Sequence, residues 1–161
     1  MPTDLERFFT YARVFEVAYW GDAWSELAPY LADDARHLVH GAAPLGADDR
    51  GHDAVIAGLA ESVRSIDRRF DVRIPEVIEG PLSRDGGVWM RFALTLRRAG
   101  LPDLQILGRH LVRYRGDRIA LIEEWIEPGV GEAVRAYLDA HDAHLKPESS
   151  PALPATDPRD Q

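Results

Sequence analysis

The sequence has no cysteine in its 161 residues, which excludes disulfide bonds, thiolate metal sites and cysteine nucleophiles. It also lacks any apolar run of membrane-spanning length and any basic-then-apolar leader at its N-terminus. Positive charge is scarce, because 19 Lys and Arg face 27 Asp and Glu, for a formal net charge of −8. Nucleic-acid binding needs concentrated positive charge. We therefore expect a cytoplasmic protein with no nucleic-acid partner and no membrane partner.

Several signatures of enzyme sites are missing as well. The chain has no glycine-rich phosphate loop and no Gly-x-Ser-x-Gly element. His141 and His144 have the i, i+3 spacing of a helical metal pair, but the sequence offers no third ligand nearby. We predict no metal site and no cofactor. An enzyme with this sequence would use acid–base chemistry in a dry pocket.

A hydrophobic content of 45% is enough for one compact domain, which we place at residues 1–145. Helical periodicity and turn signals organise its first half. They predict a capped helix from Thr3 to Gly21, a short helix after Asp22, a short strand at 36–40, a loop at 41–50 and a third helix from Asp53.

From Phe70 onward the apolar residues alternate, which is typical of strands. The pattern predicts four long antiparallel strands ending near Glu127, followed by a helix that reaches Leu145. The fold class is α+β: a curved antiparallel sheet wraps around the N-terminal helices, and a C-terminal helix follows it. Residues 146–161 are rich in Pro, Ser and Asp, and we expect a disordered tail.

Two ionisable residues interrupt apolar strand faces. His110 shares a face with Val112 and Tyr114, and Glu124 lies between Ile122 and Ile126. A tight turn at Gly116–Asp117 pairs the two strands, so His110 and Glu124 are predicted to be neighbours. A carboxylate beside an imidazole fixes its tautomer and raises its pKa, which would produce a base near neutral pH.

His40 ends the predicted first strand, near the expected mouth of the cone that the curved sheet and the helices enclose. His37 and His40 are an odd number of residues apart, so they cannot share a face of one regular strand. If Leu38 and His40 face inward, His40 joins the site. If His37 and Val39 do, His40 is a surface residue.

The order of elements, together with four local stretches, resembles the nuclear transport factor 2-like superfamily. These stretches are Gly21–Trp24, Leu31–Ala35, Gly51–Ile56 and Gly108–Ile119. The branch with ketosteroid isomerases, SnoaL-like polyketide cyclases and limonene epoxide hydrolases is the one indicated. The resemblance implies a cone-shaped domain that holds a small hydrophobic molecule.

The ketosteroid isomerase pattern is matched only in part. Its helix tyrosine falls near Val14, its general base near Val39 or His40, and its oxyanion-stabilising aspartate on His110. In the epoxide hydrolase pattern one catalytic acid falls on Glu124, the water-positioning residue on His40 and the arginine on Arg91. Arg91 lies between the apolar residues of its strand and is expected to point outward.

The resemblance and the strand faces together predict the wall of the pocket. Tyr19 contributes a polar tip, and the apolar contacts are Phe15, Phe92, Val112, Ile122 and Ile126. Trp89 and Trp125 would face the outer side of the sheet, where exposed tryptophans favour a homodimer.

Two functions remain open from the sequence. The first is a cofactor-independent enzyme in which His110, Glu124 and His40 carry out isomerisation, cyclisation, dehydration or hydrolysis on a polyketide- or terpenoid-like molecule. The second is a non-catalytic ligand-binding or dimerisation module of the same fold. The first hypothesis fails if His110 and Glu124 do not both reach an enclosed, solvent-accessible pocket.

Overall fold

The fold is taken from a computed structural model that describes residues 1–152. Three helices and six strands form it, and they occur in the order α1 (Asp4–Gly21), β1 (Leu31–His40), β2 (Ala47–Arg50), α2 (His52–Ser65), β3 (Val72–Arg84), β4 (Gly87–Arg97), β5 (Leu104–Arg115), β6 (Arg118–Ile126) and α3 (Val130–His141). Short 3₁₀ turns follow α1, α2 and α3, at Trp24–Tyr30, Asp67–Arg69 and Asp142–His144.

The predicted capping box starts α1. The Thr3 hydroxyl accepts from the Glu6 N–H, and the Glu6 carboxylate accepts from the Thr3 N–H at 2.7 Å. Because both groups satisfy otherwise orphaned donors, the helix has a defined first turn. The helix ends at Asp22, whose φ of 51° is left-handed.

The strands form one curved sheet in the order β2-β1-β6-β5-β4-β3. The predicted antiparallel run of four long strands, β3 to β6, is confirmed. β1 differs from the prediction, because it is longer and pairs with β6 in parallel.

The predicted loop at 41–50 contains a strand, β2, that the sequence did not indicate. β2 is almost entirely charged, so it lacks the apolar alternation that signals a strand. Cross-strand ion pairs hold it instead, with Arg36 Nε donating to Asp48 Oδ1 at 2.8 Å.

The apolar core has two parts. One lies between α1, α2 and the sheet and includes Phe8, Tyr11, Val88 and Val112. The other lies between α3 and the opposite end of the sheet, around Val134. The curvature of the sheet allows one face to cover both parts, which gives the predicted α+β cone with a C-terminal helix.

The boundary of the predicted tail at Lys146 is wrong by several residues. The Lys146 N–H donates to the Arg69 carbonyl at 3.1 Å, and the Ser149 N–H donates to the Arg64 carbonyl at 2.9 Å. These donors satisfy carbonyl groups at and beyond the end of α2. Residues 153–161 of the predicted tail lie outside the described part of the chain. Among the helices in residues 1–152, none has the length and apolar character to cross a bilayer.

A matched pair of substitutions tests this core. Val88 is 1% exposed and Val77 on the neighbouring strand is 51% exposed. Val88→Ala should lower the free energy of unfolding by about 2 kcal/mol, because it removes buried methyl groups and leaves a cavity. Val77→Ala should stay within about 0.5 kcal/mol of the wild type. Urea titrations of the three proteins measure both effects, and equal losses would contradict the assigned core.

Candidate functional site

The strand register places His110 of β5 directly opposite Glu124 of β6. His110 Nε2 lies 3.6 Å from Glu124 Oε1. This is an ion-pair distance, slightly beyond that of a good hydrogen bond. The next inward pair along the same two strands is Val112 opposite Ile122, and both residues are almost completely buried. The predicted neighbours are therefore together on the inner, apolar face of the sheet.

His110 is enclosed on the other side by α1. Its ring lies 6.1 Å from the ring of Phe8, centroid to centroid, and the residue is 9% exposed. Its Nδ1 is buried and has no hydrogen-bond partner among the described residues. An unpaired buried nitrogen is costly in a native structure, which makes this one unusual.

The predicted rise in the pKa of His110 is wrong. Burial lowers its pKa, because desolvation disfavours the imidazolium; the nearby carboxylate of Glu124 opposes the effect and His37 adds to it. The sequence argument counted the carboxylate and left out the cost of burial. His110 is therefore a neutral imidazole at neutral pH.

Tyr11 is a site residue that the sequence analysis missed. It is 6% exposed, and burial raises the pKa of its phenol, with smaller contributions from Glu124 and Tyr114. The phenol is thus held in its protonated form near the Glu124 carboxylate. Tyr11 lies one helical turn before Val14 and three residues after Phe8, so its place on the buried stripe could have been recognised from spacing alone.

His37 is the second residue that was missed. Of the two alternatives for β1, the structure has the one in which His37 and Val39 face inward, at 4% and 8% exposure. His37 Nδ1 lies 3.2 Å from Asp49 Oδ2 of β2. The pair formed by His37 and Asp49 thus lies on the same inner face as His110 and Glu124, at the level of Ile122, which is two residues before Glu124 on β6.

His40 is on the outer face of the sheet, so its predicted role beside His110 is wrong. Its side chain is 46% exposed, stacks on Trp125 at 5.5 Å between ring centroids and has Nε2 2.7 Å from Glu123 Oε2. The inward or outward phase of β1 depends on its pairing with β6, which local sequence did not reveal.

The residues that were predicted to line one pocket belong to two different parts of the core. Val112 and Ile122 lie in the first part, with Phe15 packed against it. Phe92 and Ile126 pack against the second part, towards α3.

Tyr19 is fully buried in another place. Its ring lies between the guanidinium groups of Arg68 and Arg73, at 4.4 and 4.3 Å from the ring centroid. Its phenol lies beside Asp67, whose pKa burial raises to about 6, against the opposing charges of Arg73 and Arg68. The predicted polar tip beside His110 is therefore not formed by Tyr19.

Two concavities of the surface lie away from His37 and His110. One is a narrow cleft whose lining includes Tyr19, Asp67, Arg68, Pro151 and Ala152. The other is an open groove of about 410 Å³ beside α3, lined by residues that include Arg135 and Leu138. Neither is lined by His110 or Glu124. Within residues 1–152, no group of three or more His, Asp or Glu side chains is placed to hold a metal ion.

The outer face of the sheet carries Arg91 and both strand tryptophans. Arg91 is exposed and pairs with Glu127 at 3.1 Å, so it points outward as predicted. Trp89 is only 6% exposed, and the Arg84 guanidinium covers its ring at 4.5 Å. The premise that both tryptophans are exposed is therefore wrong for Trp89.

Comparison with solved structures identifies the architecture. A putative isomerase from Rhodopseudomonas palustris is similar at 15% identity and a TM-score of 0.63, over 84% of this chain and 98% of that chain. A putative SnoaL-like polyketide cyclase from Jannaschia sp. CCS1 is similar at 18% identity and a TM-score of 0.59, over 87% and 96%. An LEH-like epoxide hydrolase from M. tuberculosis is similar at 12% identity and a TM-score of 0.53, over 83% and 93%.

An NTF2-like protein from Burkholderia xenovorans LB400 is similar at 19% identity and a TM-score of 0.59, over 81% of this chain and 95% of that chain. The chain has the nuclear transport factor 2-like fold. Identities this low show the fold alone. No protein-family model and no curated protein matches the sequence. Three of the similar structures bear the names of an isomerase, a cyclase and a hydrolase, so the nuclear transport factor 2-like fold leaves the reaction open.

The lowered pKa of His110 predicts a pH dependence of stability. The unfolded chain binds a proton at His110 near its ordinary pKa of 6.5, whereas the folded chain does not. The contribution of His110 to the free energy of unfolding is therefore complete above pH 6.5. It is lost as pH falls from that value towards the pKa of the folded state. His110→Gln should remove this part of the dependence of the free energy of unfolding on pH. Urea titrations at several values between about pH 5 and pH 8 measure that dependence.

His52 provides a control of opposite sign. Hydrogen bonds to Asp53 and to the Ala28 carbonyl raise the pKa of His52. Its contribution is present below its unfolded pKa and is lost as pH rises through the folded one. His52→Gln should therefore make the stability of the protein rise more steeply with pH, and the same change of slope in both variants would contradict the burial argument.

Proposed function

We propose that the protein is a cofactor-independent enzyme that moves protons on a small hydrophobic molecule inside the cone. The observation that carries this proposal is the buried Nδ1 of His110. It has no hydrogen-bond partner within residues 1–152, although it lies in a site with two other ionisable groups, Glu124 and Tyr11. A purely structural histidine would be expected to have both nitrogens satisfied.

The arrangement supports a division of roles. An ionised Glu124 can only accept, so it favours the tautomer in which His110 carries its hydrogen on Nε2. Nδ1 then has the lone pair and acts as the base. Tyr11, held protonated by burial, donates a hydrogen bond to an oxygen on which negative charge develops.

This chemistry suits molecules with an acidic C–H next to a carbonyl group. Removing such a proton leads to isomerisation, cyclisation or dehydration, depending on where the proton returns. The names of the similar structures include an isomerase and a polyketide cyclase, which supports a polyketide- or terpenoid-like substrate. Hydrolysis of an epoxide has less support, because Arg91 points outward.

A second candidate is a non-catalytic ligand-binding module. The observation that favours it is that the cleft at Tyr19 and the groove at α3 both lie away from His110 and Glu124. The two residues would then be a buried structural pair.

Turnover distinguishes the two candidates. The protein is incubated in D₂O with a panel of cyclic enones, polyketide-type lactones and terpenoid epoxides, and mass spectrometry follows both conversion and C–H deuteration. We expect at least one carbonyl probe to react. His110→Ala and Glu124→Gln should each lower its rate by about 10²–10⁴-fold, because each removes part of the proton-transfer pair.

The outer face provides a matched control. His40 and Glu123 form the same type of pair on the opposite side of the sheet. His40→Ala and Glu123→Gln should leave the rate unchanged. Equal losses in the inner and outer pairs, or no reaction with any probe, would favour the binding module.

We also propose a homodimer through the outer sheet face. That face carries both signs of charge, with Arg91 and Arg109 near Glu123 and Glu127, around the half-buried Trp125. Such a surface can complement itself across a two-fold axis.

Sedimentation velocity tests the dimer. Trp125→Glu, which puts a charge at its centre, should convert a wild-type dimer into a monomer. Val77→Glu is the control, because Val77 is exposed at the edge of the sheet. A monomeric wild type, or a dimer that Trp125→Glu leaves intact, would contradict the proposal.

A further inference from the structure

The pair formed by His37 and Asp49 is not used by the proposed reaction, although it lies in the same site. His37 is more deeply buried than His110, at 4% against 9% exposure. In the register of the strands, His37 lies opposite Ile122, two positions along β6 from Glu124, which is the partner of His110. β1 and β5 are separated only by β6, which places their backbones about 10 Å apart.

The contact with Asp49 decides which nitrogen of His37 carries the hydrogen. A carboxylate accepts hydrogen bonds and cannot donate them, so the 3.2 Å contact requires that His37 Nδ1 donate to Asp49 Oδ2. Nε2 is then unprotonated in the neutral ring. It makes no hydrogen bond among the described residues.

The direction of Nε2 follows from the geometry of the ring and the order of the strands. The two nitrogens of an imidazole point away from each other. Asp49 lies on β2, at the edge of the sheet, and β6 lies on the other side of β1. Nε2 of His37 is thus on the side of the ring away from Asp49 and β2. The β6 residue opposite His37 is Ile122, and Glu124 is two positions further along that strand.

Gly58 of α2 makes the position of Asp49 possible. A Cβ at Gly58 would overlap with the carboxylate of Asp49, whose Cγ would lie 2.5 Å away. Glycine in the middle of a helix is less stable than alanine there. At residue 58 it allows the carboxylate to lie directly against the backbone of α2.

We infer that Asp49 is a positioning residue for His37, that Gly58 provides the space for it, and that His37 is a second proton-transfer group of the site. This inference rests on the proposed function. His37 and His110 would each have a free ring nitrogen on the inner face. His37 Nε2 would accept a proton from one atom of the substrate, and the imidazolium so formed would return that proton to another atom, as His110 Nδ1 would at its own position.

Nitrogen NMR of the imidazoles tests the positioning without any substrate. Spectra are recorded at about pH 8.5, where ordinary imidazoles are neutral. We expect His37 in the wild type to be in the form with hydrogen on Nδ1. Asp49→Ala and Gly58→Ala should both shift it towards the form with hydrogen on Nε2, because each removes the carboxylate from Nδ1.

Asp48→Asn is the matched control. Asp48 lies next to Asp49 on β2 but pairs with Arg36 and Arg50 on the other face. It should leave the His37 tautomer unchanged. Circular dichroism confirms that each variant is folded. The inference is overturned if wild-type His37 has its hydrogen on Nε2, if neither variant shifts the tautomer, or if Asp48→Asn shifts it as much.

The turnover assay separates failure of the inference from failure of the proposed function. Loss of turnover by at least 10-fold in His37→Ala and Asp49→Ala, with Asp48→Asn unaffected, supports the second proton-transfer group. If His110→Ala abolishes turnover while His37→Ala and Asp49→Ala retain it, the proposed function stands and the role of His37 is overturned. If the tautomer is as expected but no probe reacts, the hydrogen bond stands and the catalytic role of His37 is overturned together with the proposed function.

Discussion

The cost of placing ionisable groups on an apolar sheet face constrains this structure more than any other single factor. An unsatisfied polar group in such a place costs about 1–3 kcal/mol. The chain offsets part of that cost by placing a carboxylate from a neighbouring strand beside each buried histidine, while Nδ1 of His110 has no partner among the described residues. Asp49 lies beside His37, and Glu124 lies beside His110. The inner face stays compatible with folding only while β2, β1, β6 and β5 keep their register.

This dependence explains the presence of β2. Its sequence, Ala47 to Arg50, has little apolar surface to bury, so hydrophobic burial alone does not account for it. Its two carboxylates pair with different faces of β1: Asp48 with Arg36 outside and Asp49 with His37 inside. Exposed ion pairs contribute little, typically below about 1 kcal/mol. The inner contact matters more, because without it a buried imidazole would lose a partner.

The sequence predicted what depends on local periodicity and on a hairpin. The α+β cone, the four long strands and the pairing of His110 with Glu124 follow from alternation and from one tight turn. The phase of β1 could not be predicted, because it depends on a parallel pairing with β6, a strand about 80 residues later. Because that phase was unknown, the sequence analysis placed His40 on the inner face, where the structure has His37. Tyr11 was different, since its helical spacing from Phe8 was visible in the sequence.

Contact distance alone would have favoured the outer pair over the proposed site. The outer pair of His40 and Glu123 is 2.7 Å apart, whereas the inner pair of His110 and Glu124 is 3.6 Å apart. The outer imidazole, however, is nearly half exposed, so water competes for its hydrogen bonds and screens its charge. The inner imidazole loses water on almost every side, and burial dominates the shift of its pKa. Desolvation lowers the pKa of His110 and raises that of Tyr11. In the proposed site, the preference of both groups for their neutral forms therefore depends on their depth in the cone more than on the closeness of a partner.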